Sequence, residues 1–437
     1  MIINNCFKVR RFVLAAVLSR SILTATLLKG TVAAHAATKK RRNRYHKFHR
    51  FVSGTILGAG LGIGPPCFGA DYYGYIIDID SREVTELEIV RSPGADSGTF
   101  PSAINDVGQV TGHVYAPDEN RTFHSFITGP NGVGTVVLSL GEKDSFGNGI
   151  NGSGQIVGNY LYRDQFYSPR SFITGPDGMG MRDLGTLGGH ESYASDINET
   201  GQVVGDSWVT GGNYSNSHAF ITGPDGTGMK DLGTLGGDSS SAHGINNVGQ
   251  VVGSSYIGTV GGEDQHAFIT GPDGAGMKDL GTLGGIFSSA SDINNAGQVT
   301  GTSRTAEGLQ RAFITGPDGM GMRDLGTLGG DNSVAYAIND AGQVLGRSTL
   351  TPGIGAYHYF ITGPNGEGMM DLNSLVDLPD PVVLHAAADV NNHGQVVVAG
   401  VRDSVPSIPE PESYALMLAG LGLIGFMARR RKVSFMA

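Results

Sequence analysis

Cysteine is all but missing from this chain. Of 437 residues only Cys6 and Cys67 are cysteine, and both precede Asp71. Everything after that point therefore lacks a disulfide, a CxxC motif and a thiol nucleophile. A large β-domain does not need them, because it buries enough apolar surface unaided. Tryptophan occurs once and charged residues make up only 16%. Bases are scarcest in the body. Residues 1–50 carry twelve Lys or Arg and no acid, the last nine residues carry four more bases, and between Phe51 and Ala428 fourteen bases face forty acids, a formal balance of −26. A surface of that sign repels nucleic acid and anionic membrane and favours cations or cationic partners. No helix-period apolar stripe runs through the body, which argues against an α-helical domain.

Glycine is what the chain has in excess, 70 residues, about twice the usual ~7%. It belongs to a repeat. The string FITGP begins at Phe126, Phe172, Phe220, Phe268, Phe313 and Phe360, with spacings of 46, 48, 48, 45 and 47. A second anchor, Ile-Asn or Val-Asn followed by Gly-Gln, begins at Ile104, Ile150, Ile197, Ile245, Ile293, Ile338 and Val390. The missing first copy of FITGP is supplied by YYGYIIDID, Tyr72 to Asp80, so seven units run from Tyr72 to about Asp403. Each reads as four short strands, shown well by HAFIT, MKDLGTL, SASDIN and GQVTGTS, separated by GPDGAG, GG and NAG turns. In Asn-x-x-Gly the Asn opens a type I turn and Gly takes the left-handed position; in PDGxG the Pro comes first and Gly sits where positive φ is needed. Four strands at this period predict a propeller blade, and seven blades close well. An open β-solenoid is the alternative. The units resemble HAF repeats of extracellular bacterial proteins, with His-Ala-Phe at His218 and His266 and departures in the first unit and at Ser125, Ser171 and Tyr359.

The two ends read as addresses. KKRRNRYHKFHR, Lys39 to Arg50, then FVSGTILGAGLGIG and PPCFGA follow the order of a secretory signal, with cleavage expected between Ala70 and Asp71. The earlier apolar stretch from Phe12 to Ala37 is interrupted by Arg20 and Lys29, so it is not read as a span; the leader is either unusually long or translation starts nearer Tyr45. Gly64, Pro65 and Pro66 make a poor lipoprotein box before Cys67. At the other end stand Pro409, Glu410 and Pro411, an apolar run from Tyr414 to Ala428, and Arg429, Arg430, Arg431 and Lys432. Fifteen helical residues reach about 22 Å against a hydrocarbon core of ~30 Å, a marginal transmembrane helix. The basic cluster stays cytoplasmic and the repeats lie on the outer side. This tail resembles the PEP-CTERM sorting signal. The resemblance implies cutting by a membrane-embedded exosortase near Pro409–Pro411, transient residence at the inner membrane of a Gram-negative-type bacterium, and transfer to the surface or medium. An ordinary C-terminal anchor is the plainer alternative.

Motifs that look chemical read better as structure. GLGLIG, Gly420 to Gly425, has GxGxxG spacing but no strand before it. Asp177 with Asp183, and Asp225 with Asp231, bracket a glycine-rich loop that suggests calcium, yet the spacing is too sparse for a dedicated site, and Ala296 spoils DINNAG. A polar position recurs before the Ala-Phe pair, His124, Arg170, His218, His266, Arg311 and His358, and reads as a structural repeat rather than a ligand-binding face. The departing loops at Tyr160 and Thr351 assemble no nucleophile, base and orienter.

The sequence thus predicts an all-β repeat protein, a seven-bladed β-propeller over residues 71–405, between a leader and signal peptide (1–70) and a sorting segment (406–437). It is read as an exported structural or interaction protein of the envelope or an exopolysaccharide matrix, without catalytic residues, metal ligands, cofactor or nucleic-acid partner. The alternatives are a glycan-active propeller enzyme, recognisable by carboxylates from different blades converging at ~5–10 Å, or a calcium- or carbohydrate-binding module.

Overall fold

The computed structural model describes residues 72–402, apart from 89–97, 117–121, 139–142, 162–167, 211–215, 259–263, 354–355, 377 and 379–381. The signal segment with Ala70 and Asp71, the Pro409–Pro411 motif, the run from Tyr414 to Ala428 and the basic cluster lie outside the described residues. Among the described residues no helix is long and apolar enough to cross a membrane; one helical turn, Leu372–Leu375, is α-helical.

The twenty-eight strands fall into seven antiparallel groups of four. Innermost in each are Gly98–Ile104, Asp144–Ile150, Gly188–Ile197, Ser240–Ile245, Gly284–Ile293, Ser333–Ile338 and Val382–Val390. In the first six groups the strands follow one another outward in chain order. The seventh joins the two ends of the described chain: Val382–Val390 pairs with Gln395–Arg402, which pairs with Tyr72–Asp78, which carries Val84–Glu86 outside it. A sequence unit therefore straddles two sheets, its HAFIT and MKDL forming the outer half of one and its SASDIN and GQVTG the inner half of the next.

The period of the apolar residues explains where the core lies. The middle two strands of each sheet are mostly buried on both faces while the outermost are largely exposed, and the core is divided among seven clusters, each between consecutive sheets. Phe268, for example, packs on Val204 and Ile221 of the preceding sheet. The FITGP phenylalanines Phe126, Phe172, Phe220, Phe268, Phe313 and Phe360 have no solvent exposure. The FIT threonine adds a polar contact: Thr222 Oγ1 accepts from the Val203 amide at 2.9 Å.

The Asn-x-x-Gly turns have glycine at φ 73° to 77° in all seven copies. Their asparagines do more than turn the chain. Asn198 accepts from the Gln202 amide and donates to Gln202 Oε1 at 2.8 Å and to the Asn246 carbonyl of the next sheet at 3.1 Å. The donation recurs from Asn105 to Asn151, Asn151 to Asn198, Asn246 to Asn294, Asn294 to Asn339, Asn339 to Asn391, and Asn391 back to Asn105. Replacing Asn198 with alanine orphans the buried Gln202 amide, at ~1–3 kcal/mol, and takes one of two donors from Gln202 Oε1 and from the Asn246 carbonyl, which keep Thr200 and Gly249. Urea unfolding is expected to show a loss of about 2–4 kcal/mol with an unchanged slope.

The PDG turns differ from expectation. Besides glycine, the second residue is left-handed as well, as at Asp177 (φ 56°), Asp225 (φ 52°) and Asn365 (φ 54°). Asp and Asn tolerate this region better than other side-chain-bearing residues do.

Candidate functional site in the central channel

Every inner strand carries a β-bulge at the same point. The register shifts between Pro101 and Ala103, Gly147 and Gly149, Ala194 and Asp196, Ala242 and Gly244, Ala290 and Asp292, Ala335 and Ala337, and Ala387 and Asp389. A bulge leaves its extra residue unpaired and re-aims it. The extra residues are Ser102, Asn148, Ser195, His243, Ser291, Tyr336 and Ala388, and all seven line one cavity of about 340 Å³. The bulge also accounts for a recurrent glycine on the neighbouring strand. A Cβ at Gly205 would meet the Tyr193 carbonyl oxygen, and one at Gly158, Gly253 or Gly301 would meet Phe146, Ser241 or Ser289 in the same way.

The residue after each bulge alternates in kind. It is Asp196, Asp292 and Asp389 in the third, fifth and seventh sheets, and Ala103, Gly149, Gly244 and Ala337 in the others. The channel-side edge of an inner strand has no partner strand, so its amides need acceptors. Asp196 accepts from Ile197 at 2.8 Å and from Ile245 of the next sheet at 3.0 Å. Asp292 does the same for Ile293 at 2.7 Å and Ile338 at 2.9 Å, and Asp389 for Val390 at 2.8 Å and Ile104 at 3.0 Å. Three carboxylates thus tie together six of the seven sheets. Burial pushes Asp196 up to about 7 and Asp389 up to about 6, against the pull of their amide donors. Burial, with the charges of Asp196 and Asp389, raises Asp292 well above the ordinary carboxylate range.

From this acidic layer the cavity widens between the fifth and sixth sheets, past Phe287, Thr302, Gln310, Val334 and Arg347. The Arg347 guanidinium lies 4.9 Å from the Tyr357 ring centroid. His243 Nδ1 sits 2.6 Å from the Ala290 carbonyl, and burial lowers its pKa against the pull of that carbonyl. The first two sheets are closed off by aromatic rings: His113 stacks on Phe100 at 5.1 Å and meets Phe146 edge-on at 5.0 Å, and its burial lowers it to about 4. On the far side of the carboxylates a second cavity of about 370 Å³ opens through the asparagine ring. Its rim links neighbours through Asn247 to Asn295, Asn295 to Asp340, Asp340 to Asn392 and Asn392 to Asp106.

The recurrent position before Ala-Phe lies elsewhere, on the outer half of each sheet. His218 Nδ1 meets Asp231 at 2.9 Å, His266 meets Asp279 at 2.8 Å and His358 meets Asp371 at 2.7 Å. Arg170 pairs with Asp183 at 3.2 Å and Arg311 with Asp324 at 3.4 Å. His124 Nε2 lies 2.8 Å from Thr122 Oγ1, and the residue standing where Asp231 would be is Val137. These pairs hold the fourth strand to the third. They also engage the carboxylates weighed for calcium: Asp183 takes Tyr160 Oη at 2.6 Å besides Arg170, and although burial pushes it up, Tyr160, the Gly185 amide and Arg170 hold it below its ordinary range. Asp225 accepts from Gln155 Nε2 at 3.4 Å. Among the described residues no group of three or more His, Cys, Asp or Glu is placed to share a metal ion.

Carboxylates from three different sheets line this one channel. Its signal lay in one alignment column, the residue before each Ile-Asn, where every second copy from the third onward is Asp.

Residues 407–432 match the PEP-CTERM protein-sorting motif. No curated protein matches the chain. Among solved structures, TolB from Acinetobacter baumannii is 12% identical with a TM-score of 0.41, over 80% of this chain and 70% of that one. The β-propeller domain of the Trilobed protease from Pyrococcus furiosus is 9% identical with a TM-score of 0.45, over 67% and 86%. An oligogalacturonate lyase in complex with manganese is 13% identical with a TM-score of 0.44, over 70% and 85%. The chain is thus a mostly β-sheet, propeller-like protein ending in a tail whose match implies export, membrane-held sorting and processing by exosortase.

Proposed function

We propose that this is a cell-surface or secreted protein whose closed seven-bladed propeller of HAF-type repeats has a structural or binding role in the envelope or its matrix. The observation that carries this reading is the sorting-motif match at residues 407–432, which begins just after the last strand, Gln395–Arg402. On this reading the signal is removed between Ala70 and Asp71, directly before the first strand at Tyr72. The run from Tyr414 to Ala428 then holds the chain in the inner membrane with Arg429 to Lys432 on the cytoplasmic side, and exosortase cuts near Pro409–Pro411. Closure is supported by the asparagine donations, which return from Asn391 to Asn105. The role is read as non-enzymatic. In support, both oxygens of each channel carboxylate already accept backbone amides, which leaves them poor candidates for a free acid and base pair.

The test is the intact mass of protein recovered from envelope and medium, for the native chain and for a variant with Pro409, Glu410 and Pro411 all changed to alanine. Native protein is expected to lack the tail beyond the motif, while the variant stays uncut at the inner membrane. Native protein that still carries Tyr414 to Ala437 would leave an ordinary anchored repeat protein.

A further inference from the structure

We propose that the channel cavity between the carboxylate layer and the fifth and sixth sheets binds a neutral pyranose, as a free sugar or the end of a glycan; this rests on the reading of the protein as an exported binding protein. The repeats are near copies of one another, yet the bulge residue that faces the channel differs freely, from serine to asparagine, histidine, tyrosine and alanine. The position after the recurrent glycine is equally free, and supplies Thr302 and Arg347 to the same cavity. A residue needed only to hold the ring together would repeat, as Asn198 and its equivalents do. Ser102 adds a second sign: it is 7% exposed, lines the cavity, and its Oγ has no hydrogen-bond partner.

The chemistry of the lining selects the ligand. An anion would meet Asp196, Asp292 and Asp389 within a strongly acidic body. A cation would meet Arg347, and the carboxylates it would seek are already engaged by amides. An apolar ligand would strand the Ser102 hydroxyl and would press on the remaining polar atoms of Asn148, His243 and Ser291, which each make one contact to a backbone carbonyl, of Ala194, Ala290 and Ala335. A polyhydroxylated ring satisfies them with hydroxyls that both donate and accept, and its C–H faces suit Phe287 and Tyr336. The volume, about 340 Å³, is at the small end of the ~300–1,000 Å³ of small-molecule sites, which suits one sugar or a disaccharide.

The experiment is saturation-transfer NMR on the exported protein recovered from cells, with methyl glucopyranoside, mannopyranoside and galactopyranoside, glucuronate, and spermidine as the probes. At least one neutral pyranoside is expected to bind, with at least tenfold weaker binding in Ser291→Phe, which fills the channel, and in Tyr336→Leu, should the first variant fold poorly. Met179→Gln, on the exposed perimeter, should bind as the native protein does. Failure of all three neutral pyranosides, retention of binding in both channel variants, or preference for glucuronate or spermidine overturns the proposal. The native protein is expected to be exported and trimmed, so a failure of its trimming with pyranoside binding intact counts against the sorting reading alone.

Discussion

A chain that begins at Gly98, without Tyr72–Asp78 and Val84–Glu86, is expected to give no cooperatively folded protein. Tyr75, Ile76, Ile77 and Leu87 are all 3% exposed or less, and burying each such side chain contributes ~1.5–3 kcal/mol. Their loss removes about 6–12 kcal/mol from a fold whose net stability is ~5–15 kcal/mol. It also strips the partner from Val396–Ala399, which pair with Gly74–Ile77, and an unpaired apolar edge invites aggregation. Circular dichroism and thermal unfolding of chains starting at Tyr72 and at Gly98 compare the two. A cooperative melt of the shorter chain within a few degrees of the longer one would mean that the seventh sheet is dispensable.

The second large effect is one of pH. Asp196 is raised to about 7 and Asp292 well above its ordinary range, in both cases chiefly by burial. A carboxyl whose folded pKa exceeds its unfolded value binds more proton when folded, so its contribution is fullest at low pH and is lost as pH rises through the folded pKa. Asp389, raised to about 6, acts the same way lower down. The buried His113, His243 and His385, all lowered by burial, oppose this below pH ~6.5, where an unfolded histidine takes up a proton. Their opposition fades as pH rises past that point and is nearly gone a pH unit above it, where only the carboxylates remain. Stability is therefore expected to fall between pH 6.5 and 8, by at most ~1.4 kcal/mol per pH unit for each carboxyl. In Asp292→Asn the share of that fall due to Asp292 should vanish, while that of Asp196 remains. Melting temperatures across this range read the effect directly, and an undiminished slope in the variant would show that the proton resides elsewhere.

The repeat, its turns and its all-β character were legible because they depend on neighbours in sequence: FITGP, Asn-x-x-Gly and PDG each specify their own local geometry. What escaped depends on distance. YYGYIIDID was recognisable as a degenerate FIT segment, but not as a strand that pairs with Gln395–Arg402, because no local pattern encodes a partner at the far end of the chain. The recurrent His or Arg before Ala-Phe was read as structural, and the Asp thirteen residues on that it meets was assigned to turn chemistry. The channel was missed for a different reason. A bulge has no signature beyond the glycine that must face it, so Ser291 and Tyr336 looked like ordinary strand positions rather than re-aimed side chains.

The pairing of the two ends also has a meaning in time. Arg402 meets Glu86 across 316 residues. At synthesis rates of ~5–20 residues per second the partner strand arrives roughly 15–60 s after the first is made. During that delay the first strand to emerge has the longest wait for its place, and the ring remains an open arc with sticky margins. Among the described strands the last one made is the clasp of the ring, and it lies directly before the sorting motif at residues 407–432. The segment that closes the ring is thus also the last part of the fold before the motif.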